Sequence, residues 1–192
     1  SGLDAIAQLI EPWLCTRANP FTDALCREAI PRGIKALKTL MTKECPQSRD
    51  EMAWASLCGG LALANAGLGV VHGLAGPLGG LSNASHGALC GCLLPFGLAL
   101  NESLVTDEAL RERFNDVRRW LADGLNVHPD TAWESLHEWS RGAGLGNLND
   151  LGVAHRALEP AALAASGSSS MKANPVTLSS EQLLEMLEAA WE

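Results

Sequence analysis

The sequence predicts an all-α protein, a bundle of about eight helices. Three observations carry that prediction. No stretch shows the strict apolar–polar alternation of a half-buried strand. Apolar residues recur instead at three- and four-residue spacing in one segment after another. Helix-start signals punctuate the chain at Asn19-Pro20, Ser48–Glu51 and Ser179–Gln182. One stretch stands apart: residues 52–101 hold no Lys, Arg, Asp or Glu, yet carry most of the chain's 19 glycines and the histidines His72 and His86. A charge-free window of that length belongs in an interior.

In order, residues 3–15 predict a short helix with Asp4, Gln8 and Glu11 on one face and a kink or an end near Pro12. A second helix runs from Asn19-Pro20 to about Thr42, with Leu25, Ile34, Leu37 and Met41 on its apolar face and a kink at Pro31. Ser48 and Glu51 form a capping box opening a helix over 49–66. That helix is apolar nearly all round (Met52, Trp54, Leu57, Leu61, Leu63), which places it in the middle of the bundle. Gly59 and Gly60 let a neighbour approach it closely. A helical turn or two carries Val70, Val71 and His72, and Gly76-Pro77 to Ser85 reads as a turn-rich loop. A helix over 87–104 follows, with His86 at its N-terminus. Amphipathic helices at 106–122, 130–142 and 160–166, and one opened by Ser179 and Gln182, complete the chain.

With 192 residues and 47% apolar side chains, the chain is long enough for one domain with a sizeable core. A net charge of −8 disfavours nucleic acid and anionic membrane surfaces as partners, since both want a basic face. Gly, Ala, Asn, Ser and Pro break the uncharged window before it reaches the roughly 20 apolar residues of a membrane span. The six cysteines form no C-x-x-C pair and read as buried, reduced thiols of a cytoplasmic protein. There is no basic leader, and the abrupt start at SGLDAIAQ suggests a piece of something longer.

Gly67-x-Gly69 with Gly73 lacks the preceding strand and the following Lys-Ser/Thr of a phosphate loop, so these glycines read as packing positions. His128, His137 and His155 sit among polar residues and read as solvated. His72 and His86 need only a carboxylate to make a divalent-metal site with an open position, and Asp4 can supply it. The competing readings are plain: Asp4 as a helix cap, Gln8 as a solvated helix face, and the two histidines as structural members of a non-catalytic helical interaction module.

The segments GLDAIAQLIEPW, ANPFTDALCREAI, GLGVVHGLAGPLGG and SHGALCGCLLPFGLALN resemble, in that order, the C-terminal helical domain of the iron-containing (group III) alcohol dehydrogenases, within the dehydroquinate synthase-like superfamily. The resemblance covers residues 2–105 well and the rest loosely. It implies residues 1–192 as one helical metal-binding domain, with an N-terminal α/β domain that binds NAD or NADP lying outside this chain. It also implies a metal in the cleft between the two domains and hydride transfer between a small alcohol or aldehyde and the nicotinamide. The family's ligand pattern maps onto Asp4, Gln8, His72 and His86. Homo-oligomer formation is left open.

Two departures from the family matter. Gln8 stands where iron-binding members have His, which weakens the case for iron and leaves zinc, or the metal-independent chemistry of the maleylacetate reductases, as alternatives. Gly76 stands where many members have a second histidine near the substrate, which enlarges the pocket. Glu11 matches a frequent acid of the family; it reads as a hydrogen-bond support for the ligand helix or, more simply, as a buried or interhelical ion pair. The uncharged surroundings predict a dry cleft.

Overall fold

Helix formation at the chain's start follows from apolar residues broken only by Asp4, Gln8 and Glu11 at helical spacing. In the computed structural model, which describes all residues 1–192, α1 (Gly2–Leu14) is buried from Ala5 to Leu14 except at Gln8. It packs against α2 (Pro20–Leu40), α3 (Pro46–Asn65), α5 (His86–Ser103) and α6 (Glu108–Leu125). The remaining helices are α4 (Val70–Leu81), α7 (Ala132–Gly142), α8 (Leu158–Ser166) and α9 (Ser180–Trp191), with three short 3-10 turns between them. The architecture is the all-α bundle the sequence predicts, and one continuous core of 45 buried apolar residues draws on all nine α-helices. No single helix is long and apolar enough to cross a membrane. All six cysteines are unpaired, five of them buried.

Several starts are where local chemistry puts them. Asn19 caps α2 in a capping box with Thr22, and Pro20 occupies the first turn. Asp107 caps α6, and Ser179 with Gln182 forms the box that opens α9. The α2 core face is Cys26, Ala29, Ile30, Ile34 and Leu37; Met41, at the helix end, is 49% exposed rather than part of it.

Two expectations about the uncharged window need correction. First, α3 begins at Pro46, so Ser48 lies inside it and forms no capping box with Glu51. Nor is α3 central: Trp54, Leu57 and Leu61 are exposed, and its packed face is the small-residue stripe Ala55, Cys58, Gly59 and Ala62. A helix apolar all round does not disclose which side faces inward, and here close approach to α1 selects the small side. A Cβ on Gly59 would lie 3.2 Å from Gln8 Cβ, whereas one on Gly60 would meet nothing, so only Gly59 serves that approach. The central position belongs to α1.

Second, Gly76–Ser85 is not a loop. Helix α4 runs through Gly76 and Pro77 to Leu81, and the connection to α5 is only residues 82–85. Glycine and proline lower intrinsic helicity, but Leu74, Ala75 and Leu78 are fully buried against α5 and α8, and that burial overrides propensity. His72 therefore sits in the first turn of its helix, not at its end. The chain enters α4 through a 97° bend after α3, where Gly67 takes φ +135°. Cβ atoms on Gly67, Gly69 and Gly73 would collide with Ala173, Asn174 and Met171, so these three are packing positions as expected.

Away from the window, Glu102 at the end of α5 ties three helices. Both its oxygens accept from Arg118 of α6 at 2.5 and 2.8 Å, and Trp133 Nε1 of α7 donates to it at 2.7 Å. The Arg118 guanidinium also lies 4.3 Å above the Trp133 ring. Burial pushes the Glu102 carboxyl up, but the Arg118 and Trp133 hydrogen bonds outweigh it and hold it below its ordinary range. Because the folded state lowers this pKa, its contribution is fully present above about pH 4.3 and fades as pH falls through the lowered value. Glu102→Gln is expected to cost about 1–2 kcal/mol at pH 7, the pair being partly screened by solvent, and to cost progressively less below pH 4. Urea unfolding at the two pH values checks this; an equal cost at both contradicts it.

Candidate metal centre

The sequence places Asp4 in the first turn of α1, and the helical period aligns it with Gln8 and Glu11. Asp4 and Glu11 meet the start of α4, while Gln8 lies beside Gly59 of α3. Gln8 Nε2 donates to Asp4 Oδ1 at 3.0 Å, so the amide steadies the carboxylate. Asp4 makes no cap hydrogen bond in α1, which removes the helix-cap reading.

Helix α4 has no cap of its own: Gly69 offers no side chain, and its first N–H groups are served from elsewhere in the chain. Val70 N donates to Asn174 Oδ1 at 2.9 Å, while Val71 N and His72 N donate to the two oxygens of Glu11 at 2.7 and 3.4 Å. A carboxylate there also meets the positive end of the helix dipole. Glu11 is only 7% exposed, and its Oε2 lies 2.5 Å from His72 Nδ1. It is buried and interhelical, as expected, but its partners are the ligand helix and its histidine rather than a Lys or Arg.

That contact fixes the imidazole. An ionised carboxylate can only accept, so Nδ1 carries the hydrogen. His72 Nε2 is then left 3.3 Å from Asp4 Oδ1. Two acceptors facing each other at this distance need a cation or a second proton between them. Burial lowers the His72 pKa, but the hydrogen bond and charge of Glu11 and the charge of Asp4 outweigh it and leave the group above its usual value.

The other histidine arrives on α5. His86 is its first residue, as the sequence predicts, and its ring centroid lies 5.6 Å from that of His72. Glycine at 87 makes the approach to α1 feasible, since a Cβ there would lie 2.9 Å from Ser1 backbone and 3.6 Å from Asp4 Cβ. One turn further along α5, Cys90 projects to the same side, with Sγ 3.5 Å from His86 Nε2. One donor atom from each of Asp4, His72, His86 and Cys90 falls within 4.8 Å of all the others. The structure thus joins three of the four sequence-predicted residues as donors, sets Gln8 on Asp4, and adds a thiol that the sequence reading passed over. The i, i+4 spacing of His86 and Cys90 was the signal available for it.

The centre is not enclosed by this chain. His72 is 9% exposed, but His86 is exposed and the Asp4 side chain is 19% exposed, so one side of the centre opens at the surface of this chain. Gly76, one turn beyond His72, borders open space on that helix: a Cβ there would meet nothing within 4 Å. The other histidines lie away from the centre. His128 is exposed, His155 pairs with Glu188 at 2.7 Å, and His137 stacks edge-on against Phe96.

Residues 1–191 match the family described as Fe-containing alcohol dehydrogenase family, C-terminal. The 1,3-propanediol dehydrogenase of Citrobacter freundii is 35% identical over 161 residues, covering 80% of this chain and 40% of that protein. The lactaldehyde reductase of Escherichia coli K12 is 29% identical over 197 residues, covering all of this chain and 50% of that protein. Among solved structures, a 1,3-propanediol oxidoreductase superposes with a TM-score of 0.87 at 28% identity, over 98% of this chain and 50% of that one. An iron-containing alcohol dehydrogenase from Thermococcus thioreducens gives 0.84 at 25% identity, over 99% and 49%. The chain spans about half the length of the curated relatives it matches.

Proposed function

Since the chain belongs to the Fe-containing alcohol dehydrogenase family, we propose that it is the helical half of an NAD(P)-dependent, metal-assisted alcohol dehydrogenase or aldehyde reductase acting on small alcohols and their carbonyl counterparts. In this reading residues 1–192 form one metal-binding domain, and the nucleotide is held by an α/β domain outside the chain. The observation that carries it is the convergence of the Asp4, His72 and His86 donor atoms on one point beside an open face. Carboxylate and imidazole suit iron or zinc alike.

A bound divalent cation supplies Lewis acidity toward the substrate oxygen; the chain's own residues do the positioning. Asp4, His72 and His86 hold the cation. Glu11 fixes the tautomer and direction of His72 through Nδ1, and Gln8 orients Asp4 through its amide. The open space at Gly76 leaves room for substrate next to the ligand helix. A nicotinamide held outside this chain would supply the hydride chemistry. Six unpaired thiols fit a reducing cytoplasm.

Gln8 favours the rival, metal-independent chemistry of the maleylacetate reductase type, and metal analysis of the intact protein separates the two. The expected result is about one iron or zinc per chain, with NAD(P)-linked alcohol oxidation. Asp4→Ala and His72→Ala are each expected to lose the bound metal and to lower kcat/KM by at least about 100-fold, some 2.7 kcal/mol of transition-state stabilisation. Unchanged metal content and turnover in both variants would end this reading.

A further inference from the structure

The donor set departs from the pattern of Asp4, position 8, His72 and His86 in two places at once. Position 8 offers a neutral amide, and that amide is engaged with Asp4. At the same centre a thiol stands where it can bind. Cys90 is fully buried, lies one helical turn from His86, and has its Sγ within 4.8 Å of the Asp4, His72 and His86 donor atoms.

Two of the six donor separations match the edges of a coordination shell, and the rest lie within 4.8 Å. With zinc–nitrogen and zinc–oxygen bonds near 2.0–2.1 Å and zinc–sulfur near 2.3 Å, a tetrahedral site has N–O edges of about 3.3 Å and N–S edges of about 3.5 Å. The structure has His72 Nε2 to Asp4 Oδ1 at 3.3 Å and Cys90 Sγ to His86 Nε2 at 3.5 Å. These two edges span all four residues, and they come from three different helices.

Resting on the reading of this centre as a metal site, we infer that Cys90 is the fourth protein donor, so that Asp4, His72, His86 and Cys90 hold the cation, the shell expands to five when a substrate oxygen enters from the open side at His86, Gln8 serves as the hydrogen-bond partner of Asp4, and the sulfur biases the site toward zinc over iron. As the metal–sulfur bond forms, the thiol proton leaves to solvent through the open side at His86. Burial and the charges of Asp4 and Glu11 keep this thiol protonated in the absence of a cation; a divalent ion reverses that balance. Zinc exceeds iron(II) in its affinity for nitrogen and sulfur donors, and a thiolate widens the gap.

The test uses the intact protein that carries this chain, stripped of metal and loaded with cobalt(II) or zinc. Cobalt is expected to give tetrahedral visible bands together with near-ultraviolet sulfur-to-cobalt charge transfer. X-ray absorption of the zinc form is expected to show one sulfur at about 2.3 Å. In Cys90→Ser the charge-transfer band is expected to vanish while the visible bands remain, and zinc affinity to fall at least about tenfold. Visible bands without charge transfer, or a zinc shell of nitrogen and oxygen alone, overturn the role of Cys90 and leave the metal site standing. No cobalt or zinc binding at all overturns both. The wild-type spectra decide the matter even if the Cys90 variant fails to fold.

Discussion

Glu11→Ala is expected to destabilise the protein by about 3–5 kcal/mol, the range for removing one partner from a buried ionic group. The carboxylate is 7% exposed and serves three donors: the backbone of Val71, the backbone of His72 and His72 Nδ1. Alanine leaves all three in an apolar interior, where each unsatisfied polar group costs about 1–3 kcal/mol. Water entering the space recovers part of that, which keeps the total below the simple sum. Glu11→Gln separates structure from function. One amide oxygen still accepts from the start of α4, but the fixed charge is gone and the amide nitrogen can donate where His72 also donates. Stability is expected to fall less than in the alanine variant, while metal affinity falls about 10–100-fold, as when the outer partner of a ligand is lost. Urea unfolding and metal titration of the intact protein check both; a glutamine variant with wild-type metal affinity would show that Glu11 only caps α4.

The same contact explains what was legible in the sequence. Helices with their signals close by could be read directly: α2 from Asn19-Pro20, α9 from Ser179 and Gln182, and the faces of α6 and α7 from Phe114, Val117, Leu121, Trp133 and Leu136. Helix α4 could not. Its cap comes from residues 60 and 104 positions away, and its interior is rich in glycine and carries a proline, so every local rule argues for a turn. Helix α3 misled for the opposite reason. Ser48 and Glu51 match a capping box that Pro46 pre-empts by starting the helix three residues earlier. Its large apolar residues also attract attention away from the small ones that pack.

At the centre, residue types and the family resemblance together pointed to Asp4, His72 and His86, because imidazoles in an uncharged window are conspicuous. Cys90 was not conspicuous. Its spacing from His86 is the one local signal; what singles it out among five buried cysteines is the approach of α1 over Gly87, and that approach is tertiary.

Asn174→Leu is expected to cost about 3–5 kcal/mol, although asparagine and leucine are similar in size. Asn174 is 6% exposed and uses its full hydrogen-bonding capacity. Oδ1 accepts from Val70 N at 2.9 Å and Asn101 Nδ2 at 3.2 Å, while Nδ2 donates to Asn101 Oδ1 at 2.7 Å and Val176 O at 2.8 Å. Leucine strands the first N–H of α4, both ends of the buried Asn101 amide and a loop carbonyl. Repacking cannot rescue these groups, because a saturated buried network fails as a unit. Gly69 shows how closely the network fits: a Cβ there would lie 2.7 Å from Asn174 Oδ1 and 3.1 Å from Glu11 Oε1, displacing both caps of α4 together. The damage should be local before it is global. Hydrogen exchange at Val70, Val71 and His72 is expected to accelerate more in the leucine variant than exchange in α2 or α6, because the first turn of α4 opens while the rest of the core holds. Equal acceleration in all these helices would mean that Asn174 contributes to the core as a whole and does not specifically hold the turn that aims His72.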